Sequence, residues 1–73
     1  MTREIFNKIA ETKFSAMLGF EVECGMMNCT EGIFVSLIAE GNKVKEMDIL
    51  PNLNGDIDYD EELNETFAYV KLS

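Results

Sequence analysis

Residues 2–24, TREIFNKIAETKFSAMLGFEVEC, decide the fold class because they place a helical period directly before a strand period. Apolar residues recur at three- and four-residue intervals, which indicates an amphipathic helix over residues 3–18. After Gly19, residues 20–24 alternate between apolar side chains and glutamates, which is the pattern of a half-buried strand. A helix followed by a strand in so short a chain predicts an α+β domain.

The helix has predictable ends and a predictable buried side. Thr2 is a good N-cap, and Gly19 is suited to the left-handed residue that follows a helix. The apolar arc that we expect to cover a sheet consists of Ile5, Phe6, Ile9, Ala10, Phe14, Ala16, Met17 and Leu18.

Three further strands are predicted after a connection over residues 25–32. The second strand covers 33–40. The third covers 44–50, with a bulge at Lys45 and Glu46 that would bring Met47 and Ile49 to the core face. Between them, residues 40–43 carry a two-residue hairpin signal that would place Glu40 opposite Lys43.

Residues 65–72 alternate again and predict the fourth strand, with a helix as the competing interpretation. The predicted architecture is one N-terminal helix packed on a three- to four-stranded antiparallel sheet, in a single acidic α+β domain over residues 1–73.

Charge is the strongest functional signal. Fourteen acidic residues face six basic ones, so the net charge is -8. The acids gather in residues 21–41, which contain no base, and in residues 55–73, where Lys71 is the single base. This balance disfavours direct binding to nucleic acid or an anionic membrane and favours a basic protein or a cation. Solubility alone is the alternative explanation of the charge.

The sequence offers little for catalysis. It has no histidine and no glycine-rich phosphate loop, so we predict a non-enzymatic protein without a cofactor. Cys24 and Cys29 lack a second pair of zinc ligands, and Cys24 is in phase with apolar residues, which predicts a core position. Neither a signal peptide nor a membrane span is predicted, which favours the cytoplasm and reduced thiols.

One segment is similar to part of a calcium loop. Residues 52–61, NLNGDIDYDE, place Gly55 and Glu61 where the sixth and twelfth positions of an EF-hand loop would lie. Leu50 stands at the first ligand position and Pro51 follows it, so the loop is degenerate. The alternatives are therefore a calcium-binding module or an acidic turn with Ile57 tucked into the core.

Display of carboxylates to a basic partner is the leading hypothesis. Alternate residues of an extended strand lie about 6.6 Å apart on one face, comparable to the spacing of phosphates along a nucleic acid. The predicted partner-binding residues are Glu21, Glu23, Asp56, Asp58, Asp60, Glu61, Glu62 and Glu65. A further hypothesis is a self-associating structural protein, forming a homodimer through Phe34, Ile38, Phe67 and Tyr69.

The whole chain resembles the small acidic early proteins that bacteriophages make to disable host machinery, some of which are DNA mimics. The shared features are size, net charge, the amphipathic residues 2–18, the β-rich middle and the acidic residues 56–65. The resemblance implies an inhibitor that acts in the host cytoplasm on a basic DNA-binding protein. One such mimic targets the nucleoid protein HU, so an HU-like protein is the partner that the resemblance favours.

Overall fold

A computed structural model describes residues 2–72 and confirms the predicted fold class. The N-terminal helix packs on a four-stranded antiparallel sheet whose strands lie in the order β1-β2-β4-β3. The elements are α1 (Arg3–Leu18), β1 (Glu23–Cys29), β2 (Gly32–Glu40), α2 (Val44–Met47), β3 (Asp58–Asp60) and β4 (Glu65–Lys71).

Both predicted ends of α1 are confirmed. The Thr2 hydroxyl accepts a hydrogen bond from the Ile5 backbone N–H at 3.2 Å, which caps the first turn. Gly19 has a φ of 84°, and its N–H donates to the Ser15 carbonyl at 2.8 Å. Glycine adopts the left-handed backbone conformation at a lower free-energy cost than other residues, so the helix ends where the sequence predicts.

The buried side of α1 differs from the predicted apolar arc. Ala10 and Phe14 are buried, but Ile5 and Ile9 are each 52% exposed. Ala16 and Met17 are exposed as well. Relative to the predicted orientation, α1 is rotated about its axis because it lies beside the edge strand β1. Polar side chains of the helix face that edge.

Three polar side chains of α1 accept hydrogen bonds from the backbone of residues 22–26 at the β1 edge. The pairs are Asn7 with Met26 at 3.0 Å, Glu11 with Cys24 at 3.3 Å and Ser15 with Val22 at 3.1 Å. Four residues of helix rise about 6 Å, and two residues of strand rise about 6.6 Å, so successive pairs stay in step. The helix thereby satisfies an edge that would otherwise be open to pairing with another chain.

The first two strands form a longer hairpin than predicted. β1 begins at Glu23 rather than at residue 20 as predicted. It continues to Cys29, so Met26 and Met27 belong to the strand rather than to a connection. Gly25 reads as a strand end in the sequence, but here it provides close packing: a side chain there would approach the Ser36 hydroxyl to 3.1 Å.

The predicted third strand over residues 44–50 is wrong. Val44–Met47 form the short helix α2, and the hairpin over 40–43 does not form. Met47 and Leu50 are buried at a spacing of three, whereas Ile49, predicted to face the core, is 66% exposed. The spacing of these buried residues therefore favours a helix in this segment. β2 pairs with β4 and not with a strand over residues 44–50.

The predicted fourth strand is confirmed as β4, and the competing helix is wrong. β4 lies between β2 and β3, where it is hydrogen-bonded on both sides. Its alternation puts Thr66, Ala68 and Val70 in the interior. The pairing of β2 with β4 thus joins the two acidic parts of the sequence, residues 21–41 and 55–73, in one sheet.

Candidate functional site

The sheet has two different faces. On one face, buried residues of α1, α2, β2 and β4 form a single core cluster, with Leu53 and Ile57 packed against it. Side chains alternate along each strand, so the strand residues between these core positions point to the opposite face of the sheet. We call this the outer face.

The register arranges the outer-face side chains in rows across the strands. One row contains Glu23, Ile38, Phe67 and Asp58. The next row contains Glu40, Glu65 and Asp60. Acidic side chains therefore surround the Ile38–Phe67 pair on three sides. We call these five residues the carboxylate rim: Glu23, Glu40, Asp58, Asp60 and Glu65.

Standard sheet dimensions give the spacing of the rim. Neighbouring strands lie about 4.8 Å apart, and residues two apart along a strand lie about 6.6 Å apart. Glu23 and Asp58 stand on opposite edges of the sheet, three strand spacings or about 14 Å from each other. A basic surface can thus form several charge-assisted hydrogen bonds with the rim at once.

Most of the predicted binding residues lie on or beside the rim. Glu23, Asp58, Asp60 and Glu65 belong to it. Glu21 precedes β1 and lines an open groove of about 740 Å³ together with Glu23, Glu40 and Glu65.

Glu61 and Glu62 form the turn after β3 and line a second hollow of about 640 Å³. The other residues of this hollow are Asp58, Tyr59, Asp60 and Phe67. Of these, Phe67 lies on the same face as Asp58 and Asp60, whereas Tyr59 pairs with Thr66 and points to the other face.

The arrangement of the acidic residues differs from the sequence expectation at two positions. Asp56 lies outside β3, which begins at Asp58, so it does not share the strand spacing of Asp58 and Asp60. Glu40 was not predicted, although its alternation with Phe34, Ser36 and Ile38 places it on their face. The hairpin signal obscured it, because pairing with Lys43 would have neutralised its charge.

The β3–β4 turn is fixed by its own side chains. One Asp60 carboxylate oxygen accepts hydrogen bonds from the backbone N–H groups of Glu62 at 2.9 Å and Leu63 at 3.2 Å. The Tyr59 hydroxyl donates to the Asn64 side-chain oxygen at 2.7 Å, and Asn64 has a φ of 53°. The acidic turn therefore has a defined shape beside the rim.

Like charges are held together in the second row. Glu65 stands directly opposite Glu40 on one side and Asp60 on the other. The backbone enforces this arrangement, because the Gly41 N–H donates to the Asn64 carbonyl at 2.7 Å. Like charges directly opposite each other destabilise a sheet, so this row costs stability.

Glu40→Gln is expected to raise the free energy of unfolding by about 0.5 kcal/mol, because it removes one charge from the like-charged row. Urea denaturation at low ionic strength measures the change. Glu46→Gln on α2 is the matched control, since it removes an exposed carboxylate outside the rim and is expected to leave stability unchanged. An equal effect of the two substitutions would show that the row carries no specific repulsion.

The outer face also carries apolar side chains. Met27 is 36% exposed and Tyr69 is 38% exposed, and Ile38 and Phe67 are half-buried. Phe34 lies on the same face but is only 5% exposed, enclosed between Met27 and Lys71 in its row. The four residues predicted to self-associate do share one face, and three of them offer contact area there.

The backbone of the degenerate calcium loop is hydrogen-bonded to β4. The Lys71 N–H donates to the Asn52 carbonyl at 2.9 Å, and the Asn54 N–H donates to the Tyr69 carbonyl at 2.8 Å. Ile57 packs against the core. Within residues 2–72, no group of three or more histidine, cysteine or acidic side chains is arranged to hold a metal ion. Calcium binding stays a prediction.

Both cysteines are free thiols. Cys24 is part of the core, as predicted, and burial together with the nearby Glu11 carboxylate raises its pKa to about 11. Its thiol therefore stays protonated and unreactive at neutral pH. Cys29 is exposed at the far end of the outer face from the rim.

Comparison with protein-family models, curated proteins and solved structures finds no match for this chain. Across residues 2–72, the helices are too short or too polar for any of them to cross a membrane.

Proposed function

We propose that this chain is an acidic binding protein that inhibits a basic DNA-binding protein by occupying its DNA site. The observation that carries the proposal is the carboxylate rim, which gathers five acids from four strands on one face. The proposed partner is a nucleoid protein of the HU type, whose basic surface would contact the rim as it contacts DNA.

Charge and geometry support a common role for the rim. The net charge of -8 steers a basic partner toward the chain and accelerates association. The rim residues on β2, β3 and β4 are spaced at about 5–7 Å, so several lysines or arginines can be engaged together. Retention of the unfavourable Glu40–Glu65 pair is typical of a surface kept for binding at some cost in stability.

Release of DNA tests this function. A labelled DNA duplex is bound to an HU-type protein, and the chain is added while fluorescence anisotropy is followed. We expect the DNA to be displaced at low salt, and the complex of the two proteins to weaken steeply as salt rises, as expected for multiple ionic contacts. DNA that stays bound at low salt in the presence of excess chain would contradict the proposal.

A further inference from the structure

The centre of the outer face is apolar and aromatic, although its border is acidic. In the row that crosses the whole sheet, Ile38 and Phe67 lie side by side between Glu23 and Asp58. Tyr69, next on the same face of β4, is 38% exposed. A pure imitation of a phosphate backbone has no need of these side chains, so they indicate something further about the partner.

The charge of the surroundings decides what can cover this apolar centre. A second copy of the chain would bring another net charge of -8 and a second rim, and the two would repel each other. A cationic segment from another protein is instead attracted to the carboxylate rim. The occupant must therefore be positively charged and must also be able to contact apolar rings.

Arginine satisfies both requirements better than lysine. Its planar guanidinium group stacks on an aromatic ring while its N–H groups bond to carboxylates in the same plane. The lysine ammonium group is more strongly hydrated and binds a carboxylate as a point charge. Phe67 stands directly opposite Asp58, and the hollow beside it is bordered by Asp60 and the acidic turn. Ring and carboxylates are thus adjacent, as a guanidinium group requires.

The chain already contains one contact between a cation and a ring. The Lys43 ammonium nitrogen lies 5.2 Å from the centre of the Phe20 ring, away from the outer face. Phe20 is therefore a suitable reference for the effect of removing an aromatic ring elsewhere in the molecule.

We infer that the outer face binds arginine-bearing segments of its basic partner, with the guanidinium groups over Phe67 and Tyr69 and bonded to the carboxylate rim. This inference rests on the proposed function and specifies the chemistry of the partner. The complex selects arginine over lysine at equal charge.

Two short peptides of equal length test the selection, one alternating arginine with glycine and the other alternating lysine with glycine. Isothermal titration calorimetry at low salt gives both affinities for the intact chain. We expect the arginine peptide to bind roughly fivefold more tightly, and Phe67→Leu to remove most of that preference. Tyr69→Leu, at a more exposed position, is expected to reduce the preference without threatening the fold. Phe20→Leu is the matched control and is expected to leave the preference unchanged.

The outcomes separate this inference from the proposed function. Equal binding of the two peptides, or a preference that survives both outer-face substitutions, would overturn the arginine selection and leave general acidic binding in place. Absence of binding by both peptides at low salt would overturn both. Sedimentation of the chain alone over a range of concentrations tests the remaining alternative, a homodimer. A stable dimer that is lost in Phe67→Leu would assign the apolar centre to a second copy of the chain and overturn the inference.

Discussion

Reversing Glu23, Asp58 and Glu65 together to lysine is expected to weaken binding to the proposed HU-type partner on the order of a thousandfold. Close charge pairs at protein interfaces contribute about 1.5 kcal/mol or more each, so three lost pairs reach this magnitude. The three residues lie on β1, β3 and β4 and represent three sides of the carboxylate rim. Calorimetry with the triple variant and the wild-type chain measures the loss.

A second triple variant separates the position of the charges from their number. Glu4, Glu46 and Asp48 are exposed and lie on or next to the helices, and their reversal changes the net charge by the same amount. We expect this control to lose about tenfold in affinity, because only long-range steering is reduced. Equal losses in the two variants would mean that net charge, and not the rim, determines binding.

Thr66→Val is expected to lower the free energy of unfolding by about 3 kcal/mol, because each buried polar group left without a partner costs about 1–3 kcal/mol. Thr66 is completely buried. Its hydroxyl donates to the Gly41 carbonyl at 2.6 Å and accepts from the Lys43 N–H at 2.8 Å. Valine keeps the shape of the side chain but leaves both backbone groups unpaired. Urea denaturation of the variant measures the change.

Thr66→Ser is the control for this prediction. Serine keeps both hydrogen bonds and removes one methyl group, for an expected loss of about 1 kcal/mol. A valine variant as stable as the wild-type chain would show that the two hydrogen bonds add nothing to stability. The contacts matter to the proposed binding face as well, because they tie residues 41–43 to β4 and so keep Glu40 beside Glu65.

The sequence predicts those features that depend on neighbouring residues. Thr2 and Gly19 define the helix because capping is a local event. The alternation in residues 33–40 and 65–72 predicts β2 and β4. A strand with one buried face and one exposed face shows this difference directly in its alternating residues. Four of the eight predicted binding residues, Glu23, Asp58, Asp60 and Glu65, belong to the rim for the same reason.

Features that depend on distant contacts could not be predicted in this way. Asn7, Glu11 and Ser15 have the composition of a solvated helix face, and only the edge of β1 gives them partners. The glycine at position 41 indicates a hairpin locally, but Thr66 and Asn64 bind that segment from the other side of the sequence. The rim itself depends on the strand order, which no local pattern encodes.

The most direct test of the outer face as the binding surface is a methyl spectrum of the isoleucine-labelled chain during titration with the HU-type partner. Ile38 lies within the rim, whereas Ile5, Ile9 and Ile49 are exposed elsewhere on the molecule. We predict that the Ile38 signal shifts or broadens at low salt while the other three stay in place. Shifts at Ile5 and Ile9 with an unchanged Ile38 would place the partner on the helix and contradict the proposed binding face.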